Sequence, residues 1–86
     1  MQKYEVEIRG FVVDNFLFGR TDKPLTDSDS LIEKGIIDST GVLELVTFLE
    51  DRYAVVVDDD ELVPENLDSI SRVAAFLKRK LHPLAT

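Results

Sequence analysis

The sequence predicts an all-α fold, a small four-helix bundle of three main helices and one short helix, with a long loop between helices 1 and 2. Two stretches place apolar residues at i, i+3, i+4, i+7 and i+11: Val42, Leu45, Val46, Leu49, Tyr53, and Ile70, Val73, Ala74, Leu77, Leu81. A third set, Tyr4, Ile8, Phe11, Val12 and Phe16, recurs at three- and four-residue steps. The β-prone run Ala-Val-Val-Val at 54–57 has no comparable run to pair with, which argues against a sheet. Helices with one apolar face each bury those faces against one another in an antiparallel-type bundle.

In chain order, the first helix covers residues 4–17, tolerating Gly10 inside and stopping at Gly19. Residues 19–37 form the long loop. Its anchors Leu25, Leu31, Ile36 and Ile37 predict an ordered segment with one helical turn at 31–34. The second helix covers 42–53, with Leu43 off the stripe and exposed and Phe48 at a core edge. Residues 54–57 read as an extended, buried connection. A turn at 58–64 leads into a short helix at 64–67, with Pro64 suited to a first helical turn. The last helix covers 70–81. Asp68 and Ser69 are its capping candidates, and Lys78, Arg79 and Lys80 complement the negative end of its dipole. Pro83 prevents continuation, leaving 82–86 as a flexible tail. Eighty-six residues accommodate one core, so a single domain spans 1–86.

Composition narrows the function. With 44% apolar and 31% charged residues the chain is of globular type. It has no cysteine and a single histidine, His82, which leaves no disulfide, thiolate nucleophile or zinc cage to build. No apolar run approaches the ~20 residues of a membrane span, and the N-terminus has no continuous hydrophobic region, so a cytoplasmic location is expected. A net charge of −7 repels nucleic acid and anionic lipid and favours basic protein partners. Residues 27–68 hold thirteen acids against Lys34 and Arg52 alone. That concentration reads as a solvated face or as a docking surface. Asp27 and Asp29 start a calcium-loop spacing but lack its later glycine and glutamate, and the consecutive Asp58, Asp59, Asp60 and Glu61 point in different directions, so no specific metal site is expected.

Asp38-Ser39-Thr40-Gly41 stands where the loop becomes the second helix. On spacing alone a serine or aspartate there is an N-cap. Nothing near Ser39 activates it as a nucleophile, since His82 lies in the tail and no oxyanion-hole glycine pattern flanks the serine. The chain is therefore not expected to be an enzyme.

Residues 31–53, LIEKGIIDSTGVLELVTFLEDRY, resemble the heart of an acyl carrier protein. In weaker form the resemblance extends over almost the whole chain and implies the acyl-carrier type of helical bundle. It implies that Ser39 carries covalent 4′-phosphopantetheine from coenzyme A, with Asp38 assisting recognition by the phosphopantetheinyl transferase. Leu43 and Thr47 then take the apolar contact positions of the recognition helix, and Glu44, Glu50 and Asp51 the acidic ones. Thr40 stands where leucine is usual and contributes a smaller, more polar contact; Gly41 stands where acids are common. Those two departures favour a discrete carrier in a specialised lipid or secondary-metabolite pathway.

The partners implied are the transferase and an acyl or aminoacyl ligase, acyltransferase or ketosynthase with a basic docking patch, the carrier being a monomer. An apolar cleft between helices would shelter the acyl group, and bulky Phe48 would favour short cargo. Two alternatives remain at this level: an aminoacyl or D-alanyl carrier, and an unmodified acidic interaction module in which Ser39 is only a cap.

Overall fold

The computed structural model describes residues 3–17 and 25–81. Helix α1 is Lys3–Phe16, α2 Ser39–Tyr53, α3 Pro64–Leu67 and α4 Ile70–Leu81, with one 3₁₀ turn at Asp59–Glu61. Among the described residues there is no strand, and residues 54–58 join α2 to the 3₁₀ turn without helix or strand; the extended, buried connection expected over 54–57 is corrected, since Ala54 turns into the left-handed region and both Ala54 and Val56 are exposed. The helical bundle expected from the apolar periodicity is what the chain forms. Gly19, Pro83 and the tail at 82–86 lie outside the described residues. Among those described, no helix is long and apolar enough to cross a membrane.

The core is the predicted stripes brought together. Ile8 and Val12 of α1, Leu45, Val46 and Leu49 of α2, and Ile70, Val73, Ala74 and Leu77 of α4 are all buried. Leu31 and Ile37 enter from the loop and Leu67 from α3. One core residue falls outside the predicted stripe: Phe76 is buried to 2% exposure. It sits three residues beyond Val73 and widens the apolar face of α4. The Arg79 guanidinium and Lys80 ammonium each stand 5.9 Å from its ring centroid. The basic end of α4 therefore covers apolar surface as well as complementing the helix dipole. It also fastens neighbouring segments, Arg79 donating to Asn66 Oδ1 at 2.8 Å and Lys80 pairing with Glu61 at 2.9 Å.

From Leu25 to Ile37 the loop is held to the bundle, as its apolar anchors predict, and its fastenings there are mainly polar; its first residues, 19–24, lie outside the described residues. Lys34 N–H donates to Ser30 O at 3.1 Å and Gly35 N–H to Ile32 O at 3.0 Å, closing the predicted turn. Gly35, at φ +70°, ends it in the left-handed region that glycine adopts freely. Leu31 N–H donates to the Asp68 carbonyl at 2.7 Å, while the Asp68 carboxylate accepts from Ser30 Oγ at 2.6 Å and Ile32 N–H at 2.9 Å. Asp68 is thus a clasp between loop and bundle rather than a cap. Ser69 alone caps α4, its Oγ accepting from Arg72 N–H at 3.1 Å. Arg9 of α1 completes the fastening by donating to Leu25 O at 2.6 Å and to Asp27.

A chain of rings joins α1 to α2. Phe16 meets Phe11 edge to face, Phe11 stacks on Phe48 at 4.3 Å between centroids, Phe48 meets Tyr53 edge to face, and Tyr53 meets Tyr4 likewise. Within this chain the Tyr53 hydroxyl donates to Glu7, which also accepts from Arg52 at 3.1 Å.

Candidate functional site

Asp38 is extended (φ −110°, ψ −171°), and its Oδ1 accepts from Gly41 N–H at 2.8 Å. That is an N-cap, and it starts α2 three residues earlier than the apolar stripe predicts. Ser39 consequently stands at the first helical position, exposed, where amide groups have no partner inside the helix. The capping task falls to Asp38, which leaves the Ser39 hydroxyl presented at the positive end of the α2 dipole. Gly41 is buried one turn in, because Phe16 and Ile37 occupy the space a β-carbon would need.

Two concavities flank this start of α2. On one side a largely apolar pocket of about 550 Å³ opens beside Ser39. It is walled by Ile32 from the loop, Val42 and Leu43 from α2, and Leu62, Val63, Pro64 and Leu67 around α3. On the other side a shallow groove of about 780 Å³ runs between α1 and α2. Phe11 and Asn15 of α1 face Thr40, Leu43, Glu44, Thr47, Phe48, Asp51 and Arg52 of α2 across it. Leu43, 56% exposed as its off-stripe position predicts, belongs to both.

The candidate docking residues separate accordingly. Thr40, Leu43, Glu44, Thr47 and Asp51 share the groove, whereas Glu50 is half-buried and its Oε2 accepts from Val57 N–H at 2.9 Å, holding the chain after α2. Phe48 stacks on Phe11, so its ring fills the α1–α2 seam and not the pocket beside Ser39. The apolar periodicity did not single out Ile32, Leu62 or Val63, because they belong to irregular segments where no period applies. Asn15 escaped notice as an ordinary exposed polar residue of α1.

The perturbed ionisations lie away from Ser39. The Tyr53 hydroxyl holds the Glu7 carboxyl below the usual carboxylate range, assisted by Arg52, and burial together with Glu7 pushes the Tyr53 phenol well above 10. The Thr26 N–H lowers Asp29, and the Asp58 N–H, with Lys80, lowers Glu61. These groups fix loop and helix ends, and none is placed to activate a nucleophile.

No family model matches the chain. Over 80 residues, 92% of this chain and 91% of the relative, it is 30% identical to a protein described as a probable acyl carrier protein, PigG, of Serratia sp. (strain ATCC 39006).

Proposed function

The chain belongs to the acyl carrier protein family, and from that premise we propose that it is a discrete carrier whose Ser39 bears 4′-phosphopantetheine and presents an acyl group to partner enzymes. The observation that supports this most is the division of tasks at the start of α2: Asp38 makes the cap, and Ser39 is left exposed beside an apolar pocket. The residues present fit the group. A phosphodiester on Ser39 would meet unpaired amides and the dipole of α2, both of which favour an anion.

In the attachment reaction Ser39 Oγ attacks the pantetheine-bearing phosphorus of coenzyme A. The new Oγ–P bond replaces the pyrophosphate P–O bond, adenosine 3′,5′-bisphosphate leaves, and the hydroxyl proton passes to a base of the transferase. Once bound, the group supplies the thiol that this cysteine-free chain lacks, and that thiol holds the acyl group as a thioester. The protein itself orients and shelters. Ile32, Val42, Leu62 and Pro64 offer apolar wall, each methylene buried there contributing roughly 0.8 kcal/mol at most. Thr40, Leu43, Glu44, Thr47 and Asp51 form the docking face for enzymes with basic patches, among them the transferase and an acyl ligase, acyltransferase or ketosynthase. Tethering makes each transfer depend on docking, which raises the effective concentration of the acyl group at each active site.

Intact mass after incubation with coenzyme A and a broad-specificity phosphopantetheinyl transferase tests the reading. One phosphopantetheinyl increment on the wild type and none on Ser39→Ala is expected. An unmodified wild type with several transferases would overturn it.

A further inference from the structure

The apolar pocket beside Ser39 has a polar neighbour. A crevice of about 570 Å³ lies between the loop and the start of α4, lined by Ser30, Glu33, Lys34, Asp68, Ser69 and Arg72. Residues adjacent in sequence divide between the two cavities: Ile32 and Leu67 wall the apolar pocket, whereas Ser30, Glu33, Asp68 and Ser69 line the crevice. What separates the cavities is therefore the pair of chain segments 30–33 and 67–69, with the bonds that join them.

Three hydrogen bonds join those segments, each ending on Asp68. Leu31 N–H donates to its carbonyl at 2.7 Å, and its carboxylate accepts from Ser30 Oγ at 2.6 Å and Ile32 N–H at 2.9 Å. The Asp68 N–H in turn donates to Pro64 O at 3.0 Å, so one residue is tied to both walls of the apolar pocket, Ile32 on the loop and Pro64 on α3. For the pocket to widen on this side, Ile32 must draw away from Leu67, and that movement breaks the bonds to the carboxylate, which are of the stronger, charge-assisted kind. Past them lie the hydroxyls and charges of the crevice, against which a methylene gains no hydrophobic shelter.

Resting on the carrier reading above, we propose that Asp68 is a positioning residue that sets how long an acyl chain the pocket shelters: by holding Ile32 and α3 at a fixed separation, it ends the apolar pocket at the crevice. The first carbons of a chain enter whether or not the clasp is closed, and carbons past the clasp stay in water.

The test reads shelter along a chain-length series. Whole protein carrying butyryl, hexanoyl, octanoyl or dodecanoyl groups on the phosphopantetheine thiol is treated with hydroxylamine, and the rate of thioester cleavage reports how much of the time the group is outside the pocket. Each methylene that enters shifts this balance toward the pocket by up to about fourfold. In the wild type the rate falls with length and then levels off within the series. In Asp68→Ala it goes on falling, the dodecanoyl group being cleaved about fivefold or more slower than on the wild type and the butyryl group within about twofold of it. Ser30→Ala removes one of the three bonds, shifts the plateau in the same direction by less, and decides the question if thermal unfolding shows that Asp68→Ala does not fold. Arg9→Gln loosens the same loop at Leu25 and Asp27, away from the pocket, and keeps the wild-type profile. An unchanged profile in the clasp variants, an equal loss of shelter at every length, a wild-type profile without a plateau, or the same shift in Arg9→Gln would overturn the role of Asp68. Failure of the wild type to gain the phosphopantetheinyl mass would instead overturn the carrier reading, so the two failures are distinct.

Discussion

The Cε1 atom of Phe16 lies 2.9 Å from the point where a β-carbon on Gly41 would stand. The last residue of α1 therefore reaches over the first turn of α2, and the glycine that follows the Ser39-Thr40 pair is where that close approach is made. An alanine in mid-helix normally gains about 1 kcal/mol over glycine. At 41 the gain is outweighed by overpacking against Phe16 and Ile37 Cγ2, so Gly41→Ala should destabilise by roughly 1 kcal/mol. Gly10, with nothing within 4 Å of its virtual β-carbon, should show the opposite sign, gaining about 0.5–1 kcal/mol as alanine. Urea unfolding of both variants checks the pair.

Asp38 and Ser39 should separate stability from modification. Asp38→Ala removes the cap on Gly41 N–H and costs about 0.5–2 kcal/mol. Ser39→Ala removes a hydroxyl with no capping task, so its unfolding free energy should stay within about 0.5 kcal/mol of the wild type while it accepts no phosphopantetheine. A large loss of stability in Ser39→Ala would assign that serine a structural role.

Ala54 ends α2 at φ 57°, in the left-handed region, with its N–H donating to Glu50 O at 3.0 Å. An alanine held there is strained by about 1–2 kcal/mol, which glycine avoids at the expense of a more disordered unfolded chain. Ala54→Gly should raise the thermal midpoint, and an unchanged or lowered midpoint in calorimetry would show the cap relaxed.

Stability should fall at both ends of the pH scale. Glu7, Asp29 and Glu61 have folded pKa values below their ordinary 4.5, 3.8 and 4.5, so their contributions are present above those values and lost as pH falls through the lowered ones. Tyr53 has a folded pKa above its ordinary 10.0, so the folded state holds its proton longer and stability declines as pH rises beyond 10. Denaturant titrations across pH should show Glu7→Gln flattening the acid limb and Tyr53→Phe the alkaline one.

Helix number, the two clean stripes and the exposure of Leu43 were legible in the sequence because periodicity reports burial directly. Phe76 was not, since an apolar face wider than one stripe leaves no periodic mark at its edge. The roles of Asp68 and Glu50 were hidden for a different reason: each carboxylate serves a backbone amide far from the helix-end or docking position its place in the sequence suggests. At the site, the Asp38-Ser39 pair was legible as a helix start, but which of the two caps depends on backbone angles. The pocket and groove were illegible, because their walls come from segments distant along the chain.

The clasp at Asp68 bears on how far the motif can be transplanted. Ile32, one wall of the pocket beside Ser39, is held by a carboxylate 36 residues along, and Asp27 O receives Ser71 N–H from farther still. On the facing wall Leu67 directly precedes Asp68, and Pro64 O accepts from the Asp68 N–H at 3.0 Å. A peptide cut to residues 25–53 keeps the serine, the cap and the acidic helix but has neither clasp nor opposite wall. The recognisable segment supplies the serine and its cap, and the apolar setting of that serine belongs to the chain as a whole.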